Sequence, residues 1–166
     1  PSTNFAVDWF ENRLQEARNE IEQLYKDFRL SEILKAVYSL IWDDFCSWYL
    51  EWIKPGINES IDATAYEKTI DFFEELMQLL HPFMPFVTEE VYHQLRQRNA
   101  GDDLTIKQQS TVGLPNSALL KQGQLLKEVI TGLRDTRVKS QLKPRDEIEL
   151  HIQTESVQTY EAFKFI

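Results

Sequence analysis

The chain has 166 residues and a formal net charge of −9, and 42% of its residues are hydrophobic and 12% aromatic. The aromatic content excludes a disordered chain, and the acidic balance by itself argues against a nucleic-acid binder. Five Gly, six Pro and one Cys exclude a collagen-like repeat, a disulfide framework and a zinc site built on Cys. No apolar run approaches the roughly 20 residues of a membrane span, and no signal peptide opens the chain. We therefore expect a soluble, cytoplasmic protein without membrane contact, and the start at Pro1 rather than Met predicts a piece of a longer chain.

Four amphipathic helices are predicted in the first part of the chain, because apolar residues recur there at spacings of three and four. They span about residues 8–28, 31–54, 62–80 and 88–98. Ser31, Asp62 and Thr88 are the expected N-caps. Pro82 is expected to end the third helix at His81, because proline has no amide proton to donate. The second helix is expected to be central, because its apolar stripe is wide. That stripe comprises Leu34, Val37, Tyr38, Ile41, Trp42, Phe45, Trp48, Tyr49 and Trp52.

A second region follows these helices. An irregular stretch, with one short strand expected at 104–107, leads to a fifth helix predicted over 117–139. The alternation of Ile148, Leu150 and Ile152 then predicts a half-buried strand. The expected fold is therefore mainly all-α. It comprises a four-helix up-down bundle over residues 4–103, a connector over 104–116 and a helix–strand extension over 117–166.

Basic residues are concentrated in one part of this acidic chain. Residues 121–145, here called the basic segment, contain seven basic and two acidic residues, whereas residues 1–120 contain ten basic and twenty acidic ones. On a helical wheel Lys127 and Arg134 share one edge of the apolar face, and Arg137 lies just beyond the end of that face. The basic segment is thus a candidate phosphate-binding surface, with bidentate contacts from Arg and point charges from Lys. A solvated helix face is the alternative interpretation.

Candidate catalytic and metal-binding residues each have a simpler structural interpretation. Cys46 has no His near it in sequence, which favours a packing role. Glu90 and His93 match the Glu-x-x-His spacing of bundle di-iron proteins, but the second motif that such a centre needs is missing. Asp43 and Asp44 are typical of the polar edge of an amphipathic helix, with acid–base chemistry as the alternative. We therefore predict neither a catalytic residue nor a metal site in this chain.

Two segments carry a specific resemblance to a known family. They are residues 41–51 (IWDDFCSWYLE), with Lys54 and Pro55 behind them, and residues 81–90 (HPFMPFVTEE). Looser matches are Asp8, Trp9, Arg13, Leu14, Ile130, Leu133, Arg134, Arg137, Leu142 and Pro144. Over about residues 8–150 the chain therefore resembles valyl-tRNA synthetases, which are class I aminoacyl-tRNA synthetases. The isoleucyl, leucyl and methionyl enzymes share the bundle but differ in the second motif. Asp135 and residues 104–112 depart from the valyl pattern.

The resemblance implies a helical bundle of the class I synthetase anticodon-binding type, which binds the anticodon stem and loop of tRNA. It implies two partners, a valine-accepting tRNA and an upstream catalytic domain of the same protein. That domain would carry out valine–tRNA ligation with ATP and Mg. The present chain is accordingly expected to be non-catalytic and to hold no cofactor of its own.

Seven residues are the expected tRNA contacts. The expected contacts with the phosphate backbone are Arg134, Arg137, Lys139, Lys143 and Arg145. Arg13 and Trp9 are candidates for contact with unpaired anticodon bases, because they lie at the edge of the first helix's apolar arc. Core packing explains Trp9 equally well. A helical protein-interaction bundle that docks a partner helix is the alternative from another functional class.

Overall fold

The computed structural model describes residues 2–56, 59–109, 113–143 and 146–149, and the regular structure within them is helical. The helices are α1 (Ser2–Lys26), α2 (Leu30–Ser39), a π-helical segment (Leu40–Tyr49), α3 (Leu50–Trp52), α4 (Ala63–Leu80), α5 (Pro85–Leu95) and α6 (Ser117–Lys139). The junctions between α2, the π-helical segment and α3 keep helical backbone angles, so these three form one continuous helix. The mainly all-α class is confirmed. Within the described ranges, no helix is long and apolar enough to cross a membrane.

Helix α1 lies at the centre of the bundle, where it packs against α2, the π-helical segment, α4 and α6. The fully buried ring of Phe10 marks this centre. Its centroid lies 5.2 Å from that of Phe45, 5.0 Å from that of Tyr49 and 5.1 Å from that of Phe72. Aromatic pairs at such separations stabilise a core beyond the area that they bury. One aromatic cluster therefore joins α1, the π-helical segment and α4.

The apolar stripe predicted on the second helix is only partly buried, which corrects the expectation of a central second helix. Leu34, Tyr38 and Trp42 are 41%, 62% and 59% exposed. The i→i+5 hydrogen bonds of a π-helix widen each turn, so that residues four or five apart share a face. An extrapolation at 3.6 residues per turn consequently misplaces Trp42, whereas Leu34 and Tyr38 lie in regular α2, outside the face that carries the buried Ile33 and Val37. The buried residues of the π-helical segment are Leu40, Asp44, Phe45 and Tyr49.

The predicted helix starts are confirmed in one case and corrected in two. Asp62 caps α4 as expected, because its carboxylate accepts a hydrogen bond from the N–H of Ala65 at 3.0 Å. Ser31 is not the cap of α2, which already begins at Leu30. The shift arises at Phe28, whose φ of 55° turns the chain sharply after α1.

Thr88 is also not an N-cap but lies inside the first turn of α5. This helix begins at Pro85, which needs no hydrogen-bond partner at the first helical position. The Thr88 hydroxyl donates back to the carbonyl of Met84 at 2.8 Å and lies 2.8 Å from Nδ1 of His81. The predicted end of α4 at His81 is confirmed. Helix α5 ends at Leu95, earlier than predicted, because the next residue is extended.

The strands predicted outside the bundle are not found in the described residues. Residues 104–107 form turns, because the amides of Leu104 and Thr105 bond the carboxylate of Glu89 rather than a neighbouring strand. Helix α6 has the predicted bounds and is capped by Asn116. The strand after it is not confirmed, since Ile148 is irregular. Leu150 and Ile152 lie outside the described residues, and the division into three domains stays a prediction.

Candidate nucleic-acid interface

The docking of α6 onto the bundle depends on one glycine. Gly123 is buried against α1, and a Cβ added at this position would overlap the indole ring of Trp9. One turn further along α6, Leu126 is 5% exposed and joins the core. Since glycine is costly in the middle of a helix, its position here is explained by the close approach of the two helices.

A buried carboxylate makes the second contact between α6 and the bundle. Asp44, in the π-helical segment, is 7% exposed. One of its oxygens accepts a hydrogen bond from Nε of Arg13 in α1 at 2.8 Å, and the other from Nζ of Lys127 in α6 at 2.6 Å. Removing one member of such a buried ionic group leaves an uncompensated charge. Asp44 therefore fixes α1, the π-helical segment and α6 relative to one another, and we call these contacts, with the Trp9–Gly123 contact, the α6 seam.

Cations and indole rings alternate along this seam. Nζ of Lys127 lies 4.5 Å from the ring centroid of Trp9 and 5.6 Å from that of Trp48. One side of the Trp48 ring is also approached by Arg134, whose Cζ is 5.6 Å from the centroid. Cations at such distances are attracted to the negative face of an aromatic ring. The contact with the Trp48 ring thus orients Arg134, while its side chain stays exposed to solvent.

The last turn of α6 carries a different arrangement. Nη1 of Arg137 donates to the carbonyl of Lys143 at 3.0 Å, and Nη2 donates to the carbonyl of Asp146 at 3.0 Å. The carboxylate of Asp146 in turn accepts a hydrogen bond from the N–H of Lys143 at 2.7 Å. Lys143 and Asp146 are therefore held against the last turn of α6 by polar contacts.

The predicted tRNA contacts are found in different environments. Arg134, Lys139 and Lys143 are exposed, whereas Arg137 and Arg13 are half-buried in contacts with the protein itself. Trp9 is 2% exposed, so a base could stack on it only if α6 moved away, and this favours the packing role. Arg145 lies outside the described residues. The exposed cations follow the outer side of α6 and the turn after it.

Glu90 and His93, considered for metal binding, are engaged in other contacts, whereas Cys46 is exposed, which corrects the packing role expected for it. Glu90 accepts a hydrogen bond from Gln94 at 2.7 Å. His93 pairs instead with Asp103, at 2.9 Å, and with Glu89 in the preceding turn, at 3.3 Å. These contacts link α5 to the turns that follow it. The pKa of the Cys46 thiol is raised by desolvation, which disfavours the reactive thiolate.

Asp44 and Gly123 fix the position of α6, and sequence reasoning missed both of these roles. A glycine inside an otherwise helical pattern was an available signal of close packing. Asp44 gave a weaker signal, because a carboxylate beside an aromatic stripe is normally solvated.

Comparison of the sequence with known proteins identifies the family of this chain. The family of the anticodon-binding domain of tRNA ligase matches residues 8–152. The valine–tRNA ligases of Phocaeicola vulgatus and Parabacteroides distasonis are 42% and 40% identical to the chain, over 89% and 95% of its length. The enzyme of a Nostoc species is 32% identical over 92% of the chain. The chain spans only 16–18% of the length of these relatives. With a match over most of its length and these relatives, the chain belongs to the family of anticodon-binding domains of tRNA ligases, as its resemblance to valyl-tRNA synthetases predicted.

Proposed function

We propose that this chain binds the anticodon stem and loop of a valine-accepting tRNA. Its bundle faces the loop, and the cations on α6 hold the phosphate backbone. The observation that carries the proposal is a set of exposed cations, Arg134 and Lys139 on α6 and Lys143 just after it, and α6 is fixed to the bundle by a buried carboxylate. Phosphate contacts position an RNA, whereas unpaired bases are read by side chains that stack on them or bond their edges. Arg13 stays a candidate base contact at the edge of the seam.

The role in the whole protein is part of the same proposal. The relatives are named valine–tRNA ligases, and the chain corresponds to a small part of each. We infer that the parent is a cytoplasmic valine–tRNA ligase whose catalytic domain uses ATP and Mg. The present chain contributes binding and positioning of the tRNA, and the chemistry belongs to residues outside it.

The proposal is tested by titrating the chain with valine and isoleucine tRNA transcripts at several salt concentrations. Each phosphate contact steepens the log–log salt dependence of binding by about 0.9, so three contacts give a slope near −3. The triple variant Arg134→Ala, Lys139→Ala, Lys143→Ala should lose most of this slope. The matched control replaces three exposed lysines away from α6 and removes the same charge; they are Lys26 in α1, Lys35 in α2 and Lys54 just after α3.

The outcomes separate the parts of the proposal. Preference for the valine transcript with a slope that depends on α6 supports it in full. Equal binding of both transcripts supports the phosphate contacts alone and contradicts the specificity for valine-accepting tRNA. An equal effect of the control variant contradicts the assignment of the contacts to α6. Absence of binding at low salt contradicts tRNA binding by this chain.

A second candidate function, the docking of a partner helix, is favoured by an exposed apolar face that runs from α2 into the π-helical segment. Tyr38 and Trp42 are stacked there with ring centroids 6.4 Å apart, beside the exposed Leu34. Apolar side chains four residues apart are typical of a surface that receives an amphipathic helix. This function predicts that Trp42→Ala leaves tRNA binding unchanged and abolishes association with the partner.

A further inference from the structure

Arg137 and Arg134 have the same charge and neighbouring positions on α6, but their surroundings differ. Arg134 is exposed above the ring of Trp48. Arg137 is half-buried, and two of its nitrogens donate to main-chain carbonyls beyond the end of the helix, those of Lys143 and Asp146. The guanidinium of Arg137 is thus directed at the protein's own backbone.

The chain that Arg137 holds has a defined conformation. After α6 the N–H of Leu142 bonds the carbonyl of Arg137 at 3.0 Å, and that of Gln141 bonds the carbonyl of Val138 at 3.1 Å. This pair of bonds is a Schellman motif, in which the residue after the cap is left-handed. Gln141 adopts a φ of 54° there, where glycine is the usual residue. Because the motif is built on a residue that disfavours this conformation, it needs support from outside.

The hydrogen bonds of Lys143 and Asp146 show what this support achieves. The N–H of Lys143 donates to the Asp146 carboxylate at 2.7 Å, while its carbonyl accepts from the N–H of Asp146 at 3.1 Å and from Arg137 at 3.0 Å. Both main-chain polar groups of Lys143 are therefore occupied, and its side chain projects from an ordered backbone. A side chain presented in this way loses less conformational freedom when it binds a ligand.

We propose that Arg137 is a positioning residue, which holds Lys143 and Asp146 against the end of α6 so that Lys143 reaches the RNA backbone. The inference rests on the proposed function. It separates the predicted phosphate contacts that touch RNA from Arg137, which instead positions Lys143. The planar guanidinium fork contacts two carbonyls at once. An ammonium group cannot reproduce this geometry, so lysine at position 137 does not replace arginine.

A double-mutant cycle on tRNA binding tests the proposal in the full 166-residue chain. Lys143→Ala should reduce the salt slope by about 0.9, as should Arg134→Ala. Arg137→Ala should reproduce the Lys143→Ala effect, and the double variant Arg137→Ala, Lys143→Ala should bind no more weakly than Arg137→Ala alone. Arg137→Lys keeps the charge but should behave like Arg137→Ala. The matched control pair, Arg134→Ala with Lys143→Ala, should be additive, because the two residues share no contact.

The result that overturns the proposal is additivity between positions 137 and 143, because it would mean that Arg137 contacts phosphate independently. Wild-type binding by Arg137→Lys overturns it as well. Amide exchange gives a readout that does not depend on RNA. The Lys143 amide should exchange about tenfold faster or more in Arg137→Ala and Arg137→Lys, because the turn opens locally. Unchanged protection there overturns the proposal. A different result contradicts the proposed function instead. In that case Arg134→Ala and Lys143→Ala leave the salt slope of tRNA binding unchanged, although the Lys143 amide is protected normally in the wild-type chain.

Discussion

The bundle and the α6 seam are held together by different kinds of contact. In the bundle, rings from α1, the π-helical segment and α4 surround Phe10 with centroids 5.0–5.2 Å from its own. In α6 only Gly123 and Leu126 are buried. The helix is held by one close approach, by the carboxylate of Asp44 and by apolar side chains that are only partly buried against the core, namely Leu119, Leu120, Leu125 and Ile130. Full burial of apolar side chains dominates in the first region, whereas partial burial, close helix packing and charge act together in the second.

We therefore expect α6 to open locally before the bundle unfolds. Free energies of local opening within one protein range from near zero to the full stability, and segments with few buried apolar contacts open first. Since the proposed phosphate contacts lie on α6 and just after it, the seam decides where the charges are placed. The changes below separate the two regions.

The largest effect is expected from Asp44→Ala, which removes the shared partner of two cations. Lys127 and Arg13 have side chains only 17% and 22% exposed. Stability should fall by about 3 kcal/mol, because Lys127 loses its carboxylate partner and Arg13 keeps only the exposed Glu16. Urea unfolding measures the loss, and amide exchange should show α6 opening before α4. Asp43→Ala is the control, since Asp43 is exposed and bonds only Ser39 in the same helix. Equal losses in the two variants would contradict the role of the seam.

A smaller effect is expected from Gly123→Ala, which tests the close approach of α6 and α1. The new methyl group overlaps the buried ring of Trp9, and overpacking of this kind costs about 2 kcal/mol. Gly132→Ala is the matched control on the same helix, because nothing lies within 4 Å of an added Cβ there. The control should raise stability by about 0.5–1 kcal/mol through its better helix propensity. Thermal unfolding of the two variants should therefore shift in opposite directions, and a shift in the same direction would remove the steric explanation.

The carboxylate of Glu89 holds the turn at Leu104 and Thr105 against α5, and Glu89→Gln tests the strength of this contact. Burial acts to raise the pKa of Glu89, but hydrogen bonds from the amides of Leu104 and Thr105, from the Thr105 hydroxyl and the charge of His81 together lower it below its usual 4.5. A carboxyl with a lowered native pKa stabilises the fold above its unfolded pKa, and this stabilisation is lost as the pH falls through the native value. We expect Glu89→Gln to cost about 1 kcal/mol at pH 7.

The measurement for this variant is urea unfolding between pH 7 and pH 3. The difference from the wild type should shrink below about pH 4.5, where the carboxyl is protonated in the unfolded chain and then in the folded one. Glu90→Gln is the control, because Glu90 is exposed and bonds only Gln94. A difference that stays constant down to pH 3 would show that the charge of Glu89 does not matter.

The bundle was more predictable from the sequence than the seam. Apolar spacings of three and four are local, so they placed the helices and gave α6 its correct bounds. The Asp62 cap and the stop before Pro82 are local signals as well. The π-helical segment was missed because a period of 3.6 residues assumes i→i+4 hydrogen bonds throughout the helix. This error placed Trp42 on the buried side, although it is exposed.

The seam was missed because its partners are distant in sequence. Asp44 bonds Lys127 across 83 residues, and the need for Gly123 is evident only once Trp9 is known to face it. Charge alone also makes Arg134 and Arg137 equivalent. Their difference comes from a turn whose carbonyls lie beyond the helix. Patterns along one helix predict which residue types are present, but the contacts between helices decide what each residue does.

The smallest effect is expected from Arg96→Ala, which sharpens the contrast between ionic contacts in the two regions. Arg96 makes more ion pairs than Asp44, with Asp71 at 2.9 Å, Glu67 at 3.1 Å and Glu74 at 3.3 Å. Its side chain is nevertheless 33% exposed and that of Glu67 is 66% exposed, and exposed pairs contribute about 0–1 kcal/mol. We expect a loss of about 0.5 kcal/mol, because solvent replaces the lost contacts and Glu74 keeps its pair with Arg98. Urea unfolding in low and high salt measures it, and a loss as large as that of Asp44→Ala would mean that the number of ion pairs matters more than their burial.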